Sequence, residues 1–354
     1  MQKTMKNTLI KKIACRRITF FSIVLLISSV ILSCKNDYAS LLGVISYSEP
    51  DKPETIFPYL ETKQSETQIS SQIHSTLVAI DKETGEPYPS IAYDWMINSD
   101  YSRFVFYLRD DISFHEDEVF GNDKSRVVQA IDIVSSIKYY VWICKKYSRP
   151  LGFVTSIKGI EVFYDACLDD VVPDIGIEGI IFSNEHTIAI ELSEPFPTFL
   201  YHLATPKMAI MPHEALSKYG IETTVGCGPY KISKNLMKED KWILMRNENY
   251  VLDTSEHLGF SKVRIFFNNS IDKELQMLSE GKLSLIFGLS QDVVTQFMES
   301  NIERFKGENP DFILMQTEEM KNSDLYIIHD SNIKGLSFDS FGIIRFNKAY
   351  SNEQ

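Results

Sequence analysis

Cysteine is scarce in this chain: five in 354 residues, with no Cys-x-x-Cys pair and no even spacing. That excludes a zinc ribbon and a small disulfide-built scaffold. Positive charge is also short, 36 basic residues against 48 acidic ones, for a net charge of −12. An acidic surface repels phosphate backbones, so general nucleic-acid binding is excluded. The sequence has no Gly-x-Ser-x-Gly, no His-Glu-x-x-His and no Gly-x-x-x-x-Gly-Lys-Ser/Thr, which removes the usual signatures of hydrolases, zinc peptidases and phosphate loops. What is present is globular: 44% apolar and 24% charged residues, in a length that suits one large domain or two ordinary ones.

The first seventeen residues carry Lys3, Lys6, Lys11, Lys12, Arg16 and Arg17 and no acid, and Ile18–Ser33 is then uncharged for 16 residues. That run is short for a bilayer span. A basic head, a short apolar stretch and a small final residue describe a secretory signal peptide over 1–33. The competing reading is a single-span signal anchor. Cys34 favours cleavage, because Ile31-Leu32-Ser33-Cys34 resembles a bacterial lipobox, whose cysteine becomes an acylated N-terminus; Leu32 is bulkier than usual there. Cys34 is thus the expected lipid anchor, holding the protein to the membrane of the cell envelope. Residues 1–33 hold six of the 36 basic residues and none of the 48 acids, so the remainder carries −18. Cys144, Cys167 and Cys227 then allow at most one internal disulfide.

Residues 35–40 read as a polar tether and Leu41–Tyr47 as a strand. Pro50, Pro53 and Pro58 make the next segment an extended loop. Ile69, Ile73, Leu77 and Ile80 recur at helical spacing after Ser65, the expected N-cap, and Asp81–Pro89 breaks that helix. Tyr93–Arg109 predicts a hairpin turning at Asn98-Ser99-Asp100. Asp110–Asp123 is an acidic loop. A long helix is expected from Ser125 to the break at Pro150 and Gly152, with Ile131, Val134, Ile137 and Val141 on one face. Thr187–Leu192 and Lys262–Phe267 alternate as half-buried strands. Helices are expected near Phe196–Leu203, at His213–Tyr219 and around Ile271–Leu278. Tyr230–Ser233 and Lys241–Arg246 read as paired strands, and Leu283–Phe287 as another. Strands and helices alternate without a fixed repeat, the pattern of an α/β or α+β fold.

Several of these segments, taken in order, resemble periplasmic solute-binding protein family 5, the large peptide- and nickel-type receptors that feed ABC importers. Thr55-Ile56-Phe57-Pro58-Tyr59-Leu60 lies where that family has an apolar-x-Pro segment. Gly85, Pro89, Ala92, Trp95, Phe106, Leu108, Arg109, Phe114 and His115 fill its signature region, with Glu116-Asp117 in place of Asp-Gly. Val225-Gly226-Cys227-Gly228-Pro229-Tyr230 resembles its Gly-Thr-Gly-Pro-Tyr motif with Cys227 for threonine. Met245–Tyr250 matches its Arg-Asn-x-x-Tyr, and Leu278–Ile286 its Leu-x-x-Gly-x-x-Asp segment with Ser284 for aspartate. Residues 333–346 resemble the family's C-terminal return. The match is continuous over 41–290 and loose over 325–347.

The resemblance implies an α/β, periplasmic-binding-protein-like (class II) fold, a mixed sheet flanked by helices, with a sub-domain at about 65–155. It also exposes a departure. Family members place a second large lobe before the C-terminal return, but here Gln291–Asp324 holds only 34 residues. The C-terminal lobe is therefore expected to be truncated, reduced to about 291–324. The function implied is an extracytoplasmic binding lipoprotein for oligopeptides or another small solute, working with ABC permease subunits, not an enzyme, and needing no cofactor. The alternative is a surface lipoprotein or degenerate relative that keeps the scaffold without binding solute.

For ligand contact the resemblance points to Glu61, Thr62, Lys63 and Gln64, whose loop offers backbone groups to an extended ligand, and to a strand at Pro206–Met208 beside it. Other candidates read as structural. Gly226-Cys227-Gly228 precedes a strand and is a tight turn, and no neighbour in sequence activates the Cys227 thiol. His115-Glu116-Asp117-Glu118 lacks calcium-loop spacing and reads as a solvated turn. His74 and His202 fall in helical patterns, and Trp95, Trp142 and Trp242 in core patterns.

Overall fold

The computed structural model describes residues 43–81, 84–252, 260–306, 312–316 and 341–345. The signal segment, the tether and Cys34 lie outside them. All elements below belong to one contact unit, Val44–His257 with Lys262–Gln354; the other, Met1–Gly43 with Leu258–Ser261, is almost wholly undescribed.

In chain order the elements begin with β1 (Val44–Glu49), α1 (Gln64–Ile73), the short hairpin β2 (Val78–Ile80) and β3 (Pro87–Pro89), then β4 (Ala92–Ile97) and β5 (Arg103–Leu108). Next come α2 (Ala130–Lys146), α3 (Ile160–Ala166), β6 (Ile180–Asn184), β7 (Thr187–Glu191), α4 (Phe199–Leu203) and α5 (His213–Tyr219). The last part holds β8 (Tyr230–Lys231), β9 (Lys241–Arg246), β10 (Lys262–Phe267), α6 (Ile271–Glu280), β11 (Leu285–Leu289), α7 (Gln291–Ser300), β12 (Phe312–Gln316) and β13 (Phe341–Arg345).

One sheet has the order β1-β10-β9-β8, mixed because β1 runs parallel to β10 while the other pairs are antiparallel. A second, β4-β5-β7-β6, is antiparallel throughout, and a third runs β11-β13-β12. This is the mixed-sheet α/β architecture expected. The largest apolar core collects Phe57, Phe104, Phe106, Phe163 and Phe199, each fully buried, beneath the second sheet and α2. Ile188 and Ile190 face it, as their alternation predicts, and Trp142 packs there too. A smaller core joins Leu278, Leu283, Ile286, Val294 and Phe297. Helix α6 ends at Gly281, and Ser284 ties the smaller core back to β1: its hydroxyl accepts from Ser46 N at 3.0 Å and its N–H donates to Ser46 O at 2.7 Å.

Three local expectations need correction. Helix α1 stops at Ile73, because Gly228 N–H takes the Ile73 carbonyl (2.8 Å) and His74 is extended. Leu77 and Ile80, though at helical spacing, enter the core and β2. Helix α2 starts at Ala130, not Ser125: Val128 N donates to Ile112 O and Phe114 N to Arg126 O, which holds 126–128 as an extended rung. Pro206–Met208 is a single 3₁₀ turn, not a strand, closed by Met208 N to Thr205 O and Ala209 N to Pro206 O. Cys144, Cys167 and Cys227 are all buried and free.

Candidate functional site

The site begins with the proline-rich loop after β1. Leu60 N closes a turn on Phe57 O (2.9 Å), and Tyr59 drops inward, donating to Ala209 O at 2.8 Å and meeting Tyr140 edge-on. The chain then turns outward at Glu61. Its path into α1 is fixed by Glu66, whose carboxylate accepts from Thr62 N (2.8 Å), Lys63 N (3.0 Å) and Glu54 N (3.0 Å). An acid in the first turn complements the helix N-terminus. Lys63 is therefore the N-cap and Gln64 the first helical residue, two positions before the expected start.

This places Glu61, Thr62, Lys63 and Gln64 on the wall of one cavity of 560 Å³. Thr67 of α1, Tyr140 and Cys144 of α2, Arg149 and Lys207 complete it. Arg149 is committed to the carbonyls of Tyr59 and Leu60, at 3.1 Å each, and Lys63 to Glu54 at 2.7 Å. Lys207 is exposed and forms no ion pair among the described residues. Glu61 is 2% exposed, and neither of its carboxyl oxygens has a hydrogen-bond partner. Burial drives that carboxyl up to about 7, held back by the nearby hydroxyls of Ser70 and Thr67.

The remaining two expected contacts separate from this group. Pro206 lines a second cavity of 360 Å³ with Ser70, His74 and Tyr88, and Met208 is buried in the main core. Their neighbour Lys207 faces the first cavity instead. Sequence reasoning passed over Lys207 although it sits inside the named segment. Tyr140 and Arg149 carry no local signal, since tertiary packing alone brings them to the loop.

The glycine motif does structural work next to the second cavity. A Cβ at Gly226 would lie 2.0 Å from Ile73 O, and one at Gly228 2.7 Å from Gln72 O. Only glycine lets this turn approach the end of α1. Gly228 O accepts from Asn247 Nδ2 (3.1 Å) and pairs with His115 Nε2 (3.0 Å), while His115 N donates to Gly226 O at 2.7 Å. His115 is thus a buried tie and not part of a solvated turn. Burial lowers it to about 4 and His74 to about 3, so both rings are neutral. The Cys227 thiol is pushed up to about 12 by burial, which removes it as a nucleophile at neutral pH.

Asp132, His213 and Glu214 bring ligand atoms within 4.8 Å of one another, the one such group among the described residues. Arg126 already fills it: its guanidinium reaches both Asp132 oxygens at 2.7 Å and Glu214 Oε1 at 2.8 Å. Phe114 and Phe120 stack near the same guanidinium, at 5.2 and 5.5 Å. The cation of this cluster is an arginine, and the arrangement is a buried brace between α2 and α5.

Residues 86–325 match the family described as bacterial extracellular solute-binding proteins, family 5, middle region, and the chain belongs to that family. Among curated relatives, the periplasmic oligopeptide-binding protein OppA of Salmonella typhimurium is 26% identical over 196 residues, covering 52% of this chain and 32% of its own. The oligopeptide-binding protein SarA of Streptococcus gordonii is 21% identical over 280 residues, covering 74% and 40%. Among solved structures, the substrate-binding domain of an oligopeptide ABC transporter from Bacillus anthracis aligns with a TM-score of 0.59 at 20% identity, over 77% of this chain and 49% of its own. The chain therefore spans about a third to two fifths of these curated relatives and half of that solved fold. The family is one of solute-binding proteins, not of enzymes.

Proposed function

We propose that this protein is an extracytoplasmic, lipid-anchored peptide receptor of an ABC importer, with Cys34 as its anchor and the Glu61–Gln64 loop as its ligand wall. The reading rests on one observation above others: the loop that the family resemblance marks for ligand contact lines an open cavity and carries a buried carboxyl with no partner. Membership of the extracellular solute-binding family supports the compartment, and relatives named as oligopeptide-binding support the ligand class. Receptors of this kind trap ligand between two lobes, replacing its water with fixed hydrogen bonds. With 34 residues at Gln291–Asp324, this chain supplies one wall, and its affinity is accordingly expected to be low.

Calorimetry of the full chain against di- to pentapeptides tests the ligand class. A saturable heat is expected; a folded protein silent towards every peptide would overturn the transport reading. That silence is what the second reading predicts, a surface lipoprotein that keeps the scaffold for protein contacts, favoured by the short Gln291–Asp324 interval. The anchor has its own test. Labelled palmitate should enter the protein expressed in its host and be lost in Cys34→Ala.

A further inference from the structure

The second cavity, of 360 Å³, shares no lining residue with the one walled by Glu61–Gln64. The end of α1, the β2–β3 hairpin and the glycine turn, through Pro229, enclose it. Among the described residues no Asp, Glu, Lys or Arg lines it, in a chain where 24% of residues are charged. Its histidine, His74, is neutral because burial disfavours the charged form. An ionic ligand would lose its hydration there and meet no counter-charge.

Hydroxyls are dense instead: Ser71, Ser75, Thr76, Ser90, Tyr88 and Tyr250 all line the cavity. Ser71 and Thr76 donate to the carbonyls of Gln68 (2.9 Å) and Val78 (2.7 Å), which leaves their oxygens to accept. The side chains of Gln72, Tyr88 and Ser90 make no hydrogen bond among the described residues. Helix α1 also ends here. His74 N takes Ser70 O and Gly228 N takes Ile73 O, but Ser71 O and Gln72 O receive no backbone N–H among the described residues. Such carbonyls form the negative end of the helix and accept from neutral donors. Tyr88, 47% exposed, and Pro89 add flat apolar surface to the wall.

Acceptors and uncharged donors beside an apolar surface, with no counter-ion, suit a ring with hydroxyls on its edge and C–H groups on its face. We propose that this cavity binds a neutral mono- or disaccharide. It is a second site, independent of the peptide-receptor reading, because the two cavities have no residue in common. One sugar face stacks on Tyr88, its hydroxyls donate to the α1 carbonyls and Thr76 Oγ1, and they accept from Gln72 and Ser90.

The test is calorimetry and saturation-transfer NMR of the full chain with glucose, maltose, cellobiose, N,N′-diacetylchitobiose and glucuronate. At least one neutral sugar should bind saturably, with Kd about 1 mM or tighter, while glucuronate should not bind. Tyr88→Ala and Gln72→Ala sit at partly exposed positions and are checked by their melting curves. The first should weaken sugar binding about tenfold and the second about threefold, for one stacked face and one neutral hydrogen bond. Silence towards every sugar, glucuronate binding as tightly as glucose, or sugar binding unchanged in both variants overturns the proposal. Each of these results leaves the peptide-receptor reading standing, since that reading rests on the other cavity. Should one variant unfold, the other decides; should both, the wild-type contrast between neutral sugars and glucuronate does.

Discussion

Asp132 and Glu61 are both buried carboxylates, 0% and 2% exposed, in the same contact unit, and they are treated in opposite ways. Asp132 accepts from Arg126 through both oxygens, from Gln129 N at 2.9 Å and from His213 N at 3.1 Å. Burial alone would raise it, but the arginine and His213 outweigh that and hold it below its ordinary value. Glu61 has none of these partners and rises to about 7. The first is a completed brace. The second has only the Ser70 and Thr67 hydroxyls beside it, so burial dominates, and the contrast shows that partners and not burial alone set the charge of a carboxyl.

The comparison breaks most forcefully at Asp132. Asp132→Ala leaves the half-buried Arg126 with Glu214 alone and should cost about 3 kcal/mol, the low end for breaking a buried pair, read as a lowered urea midpoint. Loss of the same brace by protonation should appear only in acid. The native value of Asp132 is depressed, so its contribution is present above the unfolded value near 4 and fades as pH falls below it. Glu61 predicts the reverse slope. Its native value is raised, so the cost of folding it appears as pH rises from its unfolded value near 4.5 through about 7. At 1.36 kcal/mol per unit the full penalty is about 3 kcal/mol. Glu61→Gln should therefore be as stable as wild type at pH 5 and more stable at pH 8; equal stability at both would show that Glu61 is ionised and solvated after all.

Asn247 repeats the Asp132 pattern in a neutral form, since its amide answers Gly228 O inside the glycine knot. Asn247→Ala should cost about 1 kcal/mol with no pH dependence, measured by thermal melts at both pH values. The smallest expected effect is none. Iodoacetamide at pH 8 should leave Cys144, Cys167 and Cys227 unmodified until denaturant is added, because burial raises all three thiols.

Much of this was legible before any coordinates. Strands β7 and β10 follow from period-two alternation, β5 from the hairpin pattern, β9 from the strand pair and α5 from its helical segment, and the tight turn at Gly226–Gly228 from its glycines. Two of the errors share a physical source. At Ile73 and at Ser125–Gln129 a distant backbone group captured the local N–H or C=O and overrode the spacing of apolar residues, whereas Pro206–Met208 closes on its own backbone as a local turn. His115 was misjudged for the same reason, since its partner is Gly228, far along the chain. In the cavity, Glu61–Gln64 were named from resemblance. That Glu61 lacks a partner, and that Lys207 and Arg149 stand nearby, depends on packing no short window of sequence encodes.

The pairing of β1 with β10 has a consequence in time. Val44–Glu49 form an edge strand whose parallel neighbour, Lys262–Phe267, emerges more than two hundred residues later. Through most of synthesis the leading strand has no mate, and closing so long a loop is slow. A chain exported through a narrow channel in extended form would benefit from that delay, arriving on the far side before its first sheet can close.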